Sequence, residues 1–157
     1  MESESREPLA STDTQQERRT ETPTSLYKGS CLCGSISFAT SGFSPLAANC
    51  HCIMCRKFHG AAFSTFGSFD KLTWLSGQTL LKDYRGKNGS VRTFCSECGS
   101  SLGYRSECQG VDEMEIALSA FDDDIPIVPD AHIYTDYKAN WHTPSNDLPM
   151  CKEGREP

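Results

Sequence analysis

Cys50, Cys52 and Cys55 stand within one six-residue stretch, and two cations, Arg56 and Lys57, follow at once. Two further pairs flank that stretch: Cys31 and Cys33 upstream, Cys95 and Cys98 downstream. Thiolates one or two residues apart can chelate a single ion together, whereas most disulfides join more distant positions. The N-terminal residues lack the apolar h-region of a secretory signal. The expected compartment is therefore reducing and cytoplasmic, where clustered cysteines indicate metal or redox chemistry. Nine cysteines in 157 residues are accordingly read as metal ligands first.

Spacing leaves two pairings open. A structural zinc takes four soft ligands in a closed tetrahedron. Cys31 and Cys33 with Cys95 and Cys98 supply that number. Cys52 and Cys55 with Cys95 and Cys98 also supply it, as C-x-x-C with C-x-x-C, but strand Cys31, Cys33 and Cys50. Under the first pairing three thiolates remain, and three protein ligands plus an exchangeable position is the pattern of catalytic zinc. An ion held that way binds an incoming thiolate, lowers its pKa and polarises a carbonyl oxygen. The reaction class it suggests is thiol chemistry on an aldehyde. His51, His59, His132, His142 and Cys108 are the candidates for an internal fourth ligand, each with a structural role as the first reading. Zinc with three thiolates carries one net negative charge, which Arg56 and Lys57 are placed to compensate.

These ligands need elements to hold them. Gly29 and Gly34 bracket the first C-x-C, as a tight turn would require. Residues 52–59 form a helical turn or two, stopped by Gly60. Strands are expected at 35–40, where Ile36 and Phe38 share a face, and at 46–49, 61–68 and 71–75. The 80–84 and 91–94 segments make a hairpin across the 86–89 turn, and further strands fall at 100–104, 114–119 and 131–134. Short strands with almost no helical periodicity indicate an all-β domain. Asp122, Asp123 and Asp124 are taken as a solvated turn, without the ligand spacing of a calcium loop. The 141–150 segment is expected to be irregular and to pack back through Trp141, Leu148 and Pro149. Residues 1–25 are polar and almost free of large apolar side chains, so they read as a disordered tail. A single domain then spans 26–150, with a C-terminal tail at 151–157. The net charge of −6 argues against nucleic acid as a partner. No apolar run approaches the roughly 18 residues needed to span a bilayer.

Taken together, Gly29-Ser30-Cys31-Leu32-Cys33-Gly34, Cys50-His51-Cys52-Ile53-Met54-Cys55-Arg56 with Gly60-Ala61-Ala62-Phe63, Phe94-Cys95-Ser96-Glu97-Cys98-Gly99 with Leu102 and Tyr104, and His132-Ile133-Tyr134 with Trp141 and Asp147-Leu148-Pro149 resemble the glutathione-dependent formaldehyde-activating enzyme family, to which centromere protein V also belongs. The resemblance covers about 27–150. It implies a zinc-bound β-tent fold of short antiparallel strands and two zinc ions per chain. It also implies one of the two pairings: Cys31, Cys33, Cys95 and Cys98 around a structural zinc, and Cys50, Cys52 and Cys55 around a catalytic one. The implied activity is that of a carbon–sulfur lyase, with glutathione and formaldehyde joined as S-hydroxymethylglutathione. Arg56 and Lys57, and more weakly Arg92, Arg105 and Lys138, are candidates to orient the carboxylates of glutathione or a related thiol. Cys108 and Cys151 fall outside the motifs and are expected to be free thiols.

Overall fold

The computed structural model describes residues 25–144 and 147–155. The tail expected at 1–25 lies outside them except for Ser25. The first strand, β1 (Leu26–Ser30), precedes every strand the sequence suggested. It pairs antiparallel with β2 (Ser37–Ser41), which pairs with β5 (Lys71–Ser76), giving a three-stranded sheet. Gly29 therefore sits in a strand and is not a turn residue. A side chain there would collide with the Phe38 ring and the Ala120 carbonyl, so the requirement for glycine is one of space.

The second sheet has seven strands in the order β10-β3-β4-β9-β8-β7-β6. Its members are β3 (Ala47–Cys50), β4 (Ser64–Gly67), β6 (Leu81–Arg85), β7 (Ser90–Cys95), β8 (Ser101–Ser106), β9 (Glu115–Ala117) and β10 (Ala131–Ile133). The expected hairpin is β6–β7, closed by Gly86 N–H to the Ser90 carbonyl at 2.7 Å. All pairings are antiparallel except β10, which lies parallel to β3. The connection from β9 to β10 is long, so β10 can enter the edge in that direction.

One helix, α1 (Ile53–His59), interrupts the strands. Cys52 caps its start, its Sγ accepting the Cys55 N–H at 3.2 Å in the role that serine or aspartate usually fills. Gly60 ends it in the left-handed region at φ 61°, where its N–H reaches the Arg56 carbonyl. That turn delays the next strand to Ser64, later than the 61–68 expectation.

The main core lies between the sheets. Phe38 and Leu72 from the first meet Leu102 and Ile116 from the second, with Ile36 and Met114 beside them. The acidic turn has a structural task. Asp123 accepts the Lys28 N–H at 2.7 Å, and Asp122 faces Ser30 Oγ at 3.2 Å, so the turn pins β1. The end of the chain returns by its backbone. His132 N–H bonds the Pro149 carbonyl at 2.8 Å, and Tyr134 N–H bonds the Glu153 carbonyl at 2.7 Å. Of the three side chains expected to pack back, Trp141 is 70% exposed and Pro149 also stays exposed, while Leu148 is half-buried. Main-chain pairing along β10 does the work assigned to those side chains. Residues 151–155 join the same packing: Arg155 bonds the Ala47 carbonyl and forms an ion pair with Asp130. Among the described residues no helix is long and apolar enough to cross a membrane.

Candidate metal centres

Cys31 follows β1, Cys33 lies in the turn after it, Cys95 ends β7, and Cys98 sits in the β7–β8 turn. The two turns touch: Leu32 N–H donates to Ser100 Oγ at 2.9 Å. All four sulfurs lie within 4.8 Å of one another. Around a tetrahedral ion with zinc–sulfur bonds of about 2.3 Å, sulfurs stand ~3.8 Å apart. The Cys31–Cys33 and Cys33–Cys95 separations, 3.5 and 4.0 Å, bracket that value. Burial pushes the Cys95 thiol up to about 11, while backbone hydrogen bonding at Ser100 leads the effects that draw Cys98 down to about 6. The surroundings of Cys98 thus favour its thiolate, the form that binds metal.

Cys50 ends β3, Cys52 caps α1 and Cys55 lies in its first turn, and these three sulfurs also fall within 4.8 Å of one another. They titrate as one unit. Hydrogen bonds from Cys50 and then Cys55 bring Cys52 down to about 2, and the same contact with Cys52 drives Cys50 upward. All nine cysteines are free of disulfides. Both donor sets fit a soft divalent metal, and they separate Cys52 and Cys55 from Cys95 and Cys98. The alternative C-x-x-C with C-x-x-C pairing left open by spacing is therefore not what the fold brings together.

The three-cysteine cluster lines a cavity of about 520 Å³ with Phe66, Arg92, Tyr104, Tyr134 and Arg155 among its walls. Arg92 is buried and donates to Cys55 Sγ at 3.6 Å and to Ser90 Oγ at 2.9 Å. Its guanidinium lies 5.4 Å from the Tyr104 ring centroid, a cross-strand pairing set by the β7–β8 register. Tyr134, at φ 55°, is the one described non-glycine residue in the left-handed region. Burial first, and the charge of Cys50 next, hold its phenol above the usual range, so it stays protonated.

The other candidates fall elsewhere. His51 and Cys50 are neighbours at a strand end and point to opposite sides. His51 Nε2 lies 2.7 Å from His132 Nδ1, and its ring packs against Phe63 and His142. Burial, then His132, lowers it to about 4. His59 turns its ring to Phe66 and is likewise lowered to about 4, by burial first. Among the described residues no histidine joins either cluster. Arg105 is committed to Asp83 at 2.7 Å and Thr93 at 2.7 Å, on the sheet face opposite Tyr104, and so cannot orient a ligand at the sulfurs. Lys138 is exposed and outside the cavity. Arg56 and Lys57 lie on α1 and do not line it either, whereas Arg92 does. Cys108 is exposed beside Ser106, and Cys151 is half-buried. Arg155 had no signal in the sequence, because a returning terminus leaves no pattern, and Tyr134 stood inside the His132-Ile133-Tyr134 motif without a role assigned to it.

The sequence model of the glutathione-dependent formaldehyde-activating enzyme family matches residues 26–137, and the chain belongs to that family. Among solved structures, the crystal structure of a Rhodobacter sphaeroides protein is similar at a TM-score of 0.49 and 22% identity, over 63% of this chain and 91% of that chain. No curated protein matches the sequence. The segment that carries Arg155 into the cavity wall lies beyond the family match.

Proposed function

We propose that this member of the glutathione-dependent formaldehyde-activating enzyme family is a carbon–sulfur lyase acting on a thiol–aldehyde adduct, with glutathione and formaldehyde as the default pair. The observation that carries the reading is the contrast in donor number: four sulfurs in one cluster, and three at the wall of a cavity in the other. Zinc in the three-sulfur site would supply Lewis acidity and a lowered pKa for an approaching thiol. The chain's own residues do the rest. A cavity of about 520 Å³ is the size of ordinary small-molecule sites. Phe66 and Ile133 in its wall limit water around the reacting carbon. Carbon–sulfur bond formation leaves negative charge on the former carbonyl oxygen. Tyr134, protonated and in the same cavity, is the group placed to give that oxygen a proton and to take it back when the bond breaks.

Arg56 and Lys57 would contact only the part of a bound glutathione that extends past the cavity. A smaller, less anionic thiol adduct is the second reading. The cations in the cavity wall, Arg92 and Arg155, are already engaged by Cys55 and Asp130, and Glu115 adds an acid. The setting proposed is the reducing cytoplasm, which keeps the thiols available. Turnover of a panel of thiols with formaldehyde and larger aldehydes tests both readings. Activity with glutathione and formaldehyde supports the first, and activity confined to other pairs replaces it with the second. No activity with any pair in a chain holding two zinc ions would leave a binding module in place of an enzyme.

A further inference from the structure

Arg92 presents a charge problem. It is 3% exposed, and Nε is buried without a hydrogen-bond partner. No carboxylate among the described residues forms an ion pair with it, unlike Arg105 and Arg155, which have Asp83 and Asp130. Its partners are a neutral hydroxyl (Ser90), an aromatic face (Tyr104) and one sulfur (Cys55). A buried guanidinium requires a countercharge close by. The sulfur cluster is what lies close by.

We infer that Arg92 is the counter-ion of the three-cysteine site, a positioning residue whose guanidinium braces Cys55 Sγ and balances the charge of the metal-loaded cluster. The inference rests on the reading that these three cysteines bind a metal. Three thiolates around a divalent ion leave one negative charge, and Arg92 supplies one positive charge, so the buried assembly is neutral. The compensation expected from Arg56 and Lys57 thus falls to a residue 37 positions from Cys55 in the chain. Ser90 steers the guanidinium, and Asn88 in turn holds Ser90 Oγ at 2.7 Å. Among the described residues no such cation bonds a sulfur of the four-cysteine cluster. Cys33 is exposed and Cys98 half-buried, so water can screen its charge.

The test uses the full chain and the metal alone. Zinc per chain is counted by elemental analysis, and the affinity of each site is read by competition with a chromophoric chelator. Thiolate-to-cobalt absorption in the cobalt form reports the sulfur ligands. Wild type should hold two ions. Arg92→Gln should keep the four-cysteine ion, which shows that the chain is folded, and bind the second about 10–100-fold more weakly. Arg92→Lys should recover much of that loss, because charge and not shape is what matters. Ser90→Ala, which retains the charge and removes the brace, should fall between. An unchanged second affinity in Arg92→Gln overturns the inference, as does equal weakness in Arg92→Gln and Arg92→Lys. Should Arg92→Gln hold neither ion, Ser90→Ala decides: an unweakened second site there overturns the inference. A single ion in wild type overturns the metal reading of the three cysteines and this inference with it.

Discussion

Four sulfurs meet where two turns touch at the margin of the main core; three meet where a strand end runs into a helix beside a cavity. The first group is continuous with the packing that holds the sheets together, since Cys31 and Cys95 belong to the same buried cluster as Phe38, Leu102 and Ile116. The second packs against a smaller group with Phe66 and Ala117 and faces Arg92. Ligand type is the same in both. Donor number and surroundings differ, and on the function proposed above they divide the labour: a saturated tetrahedron would tie distant segments together, and an unsaturated set beside a cavity would be available for a substrate.

That division can be broken most forcefully at Cys95, whose side chain is fully buried. Cys95→Ser should remove the four-cysteine ion and cost more than about 5 kcal/mol, comparable to the whole stability of a domain. Circular dichroism melts should show loss of the cooperative transition, and metal analysis loss of both ions. Cys52→Ser is the opposite case: one ion and the folded spectrum should remain while turnover falls to background. Turnover in that variant would end the catalytic reading of the cluster. Next comes Tyr134→Phe, expected to lower turnover about 100-fold or more while both ions stay bound.

Asp83 tests whether the β6–β8 edge is independent of either centre. Burial works to raise its carboxyl, but hydrogen bonds from Arg105 and Thr93 outweigh it and hold the pKa below the ordinary 3.8. A depressed folded pKa gives stability that is present above the unfolded value and lost as pH falls through the folded one. Acid melts of the wild type should therefore show this contribution disappear below about pH 4. Asp83→Asn should lose about 2–3 kcal/mol at neutral pH, because Arg105 would be left buried without its charge partner, and both ions should remain. The smallest effect is expected at Gly60, where a Cβ meets no neighbour within 4 Å but φ is +61°. Gly60→Ala should cost about 1 kcal/mol of backbone strain and leave the four-cysteine affinity untouched.

Much of the frame was legible in the chain itself. Alternation placed Ile36 and Phe38 on one buried face, and the glycine–asparagine turn marked the β6–β7 hairpin. The strand at Leu26–Ser30 was hidden because its partners lie on another strand and in the acidic turn, and neither contact leaves a periodic signal. The 114–119 expectation ran past its strand, which ends at Ala117 and passes into a 3-10 turn.

The cysteine types and spacings by themselves pointed to metal-ligand chemistry, since close thiolates can chelate one ion together. They could not determine which cysteines share an ion, because that depends on which turns meet. The tertiary structure decided the grouping by bringing the turns at Cys31 and Cys95 together and leaving Cys50, Cys52 and Cys55 at the cavity. It also decided which cation meets them. Arg56 and Lys57 are near in sequence, but helical geometry keeps them out of the cavity wall, while strand register sets Arg92 against Cys55. Charge acts through space, and only the folded chain specifies those distances.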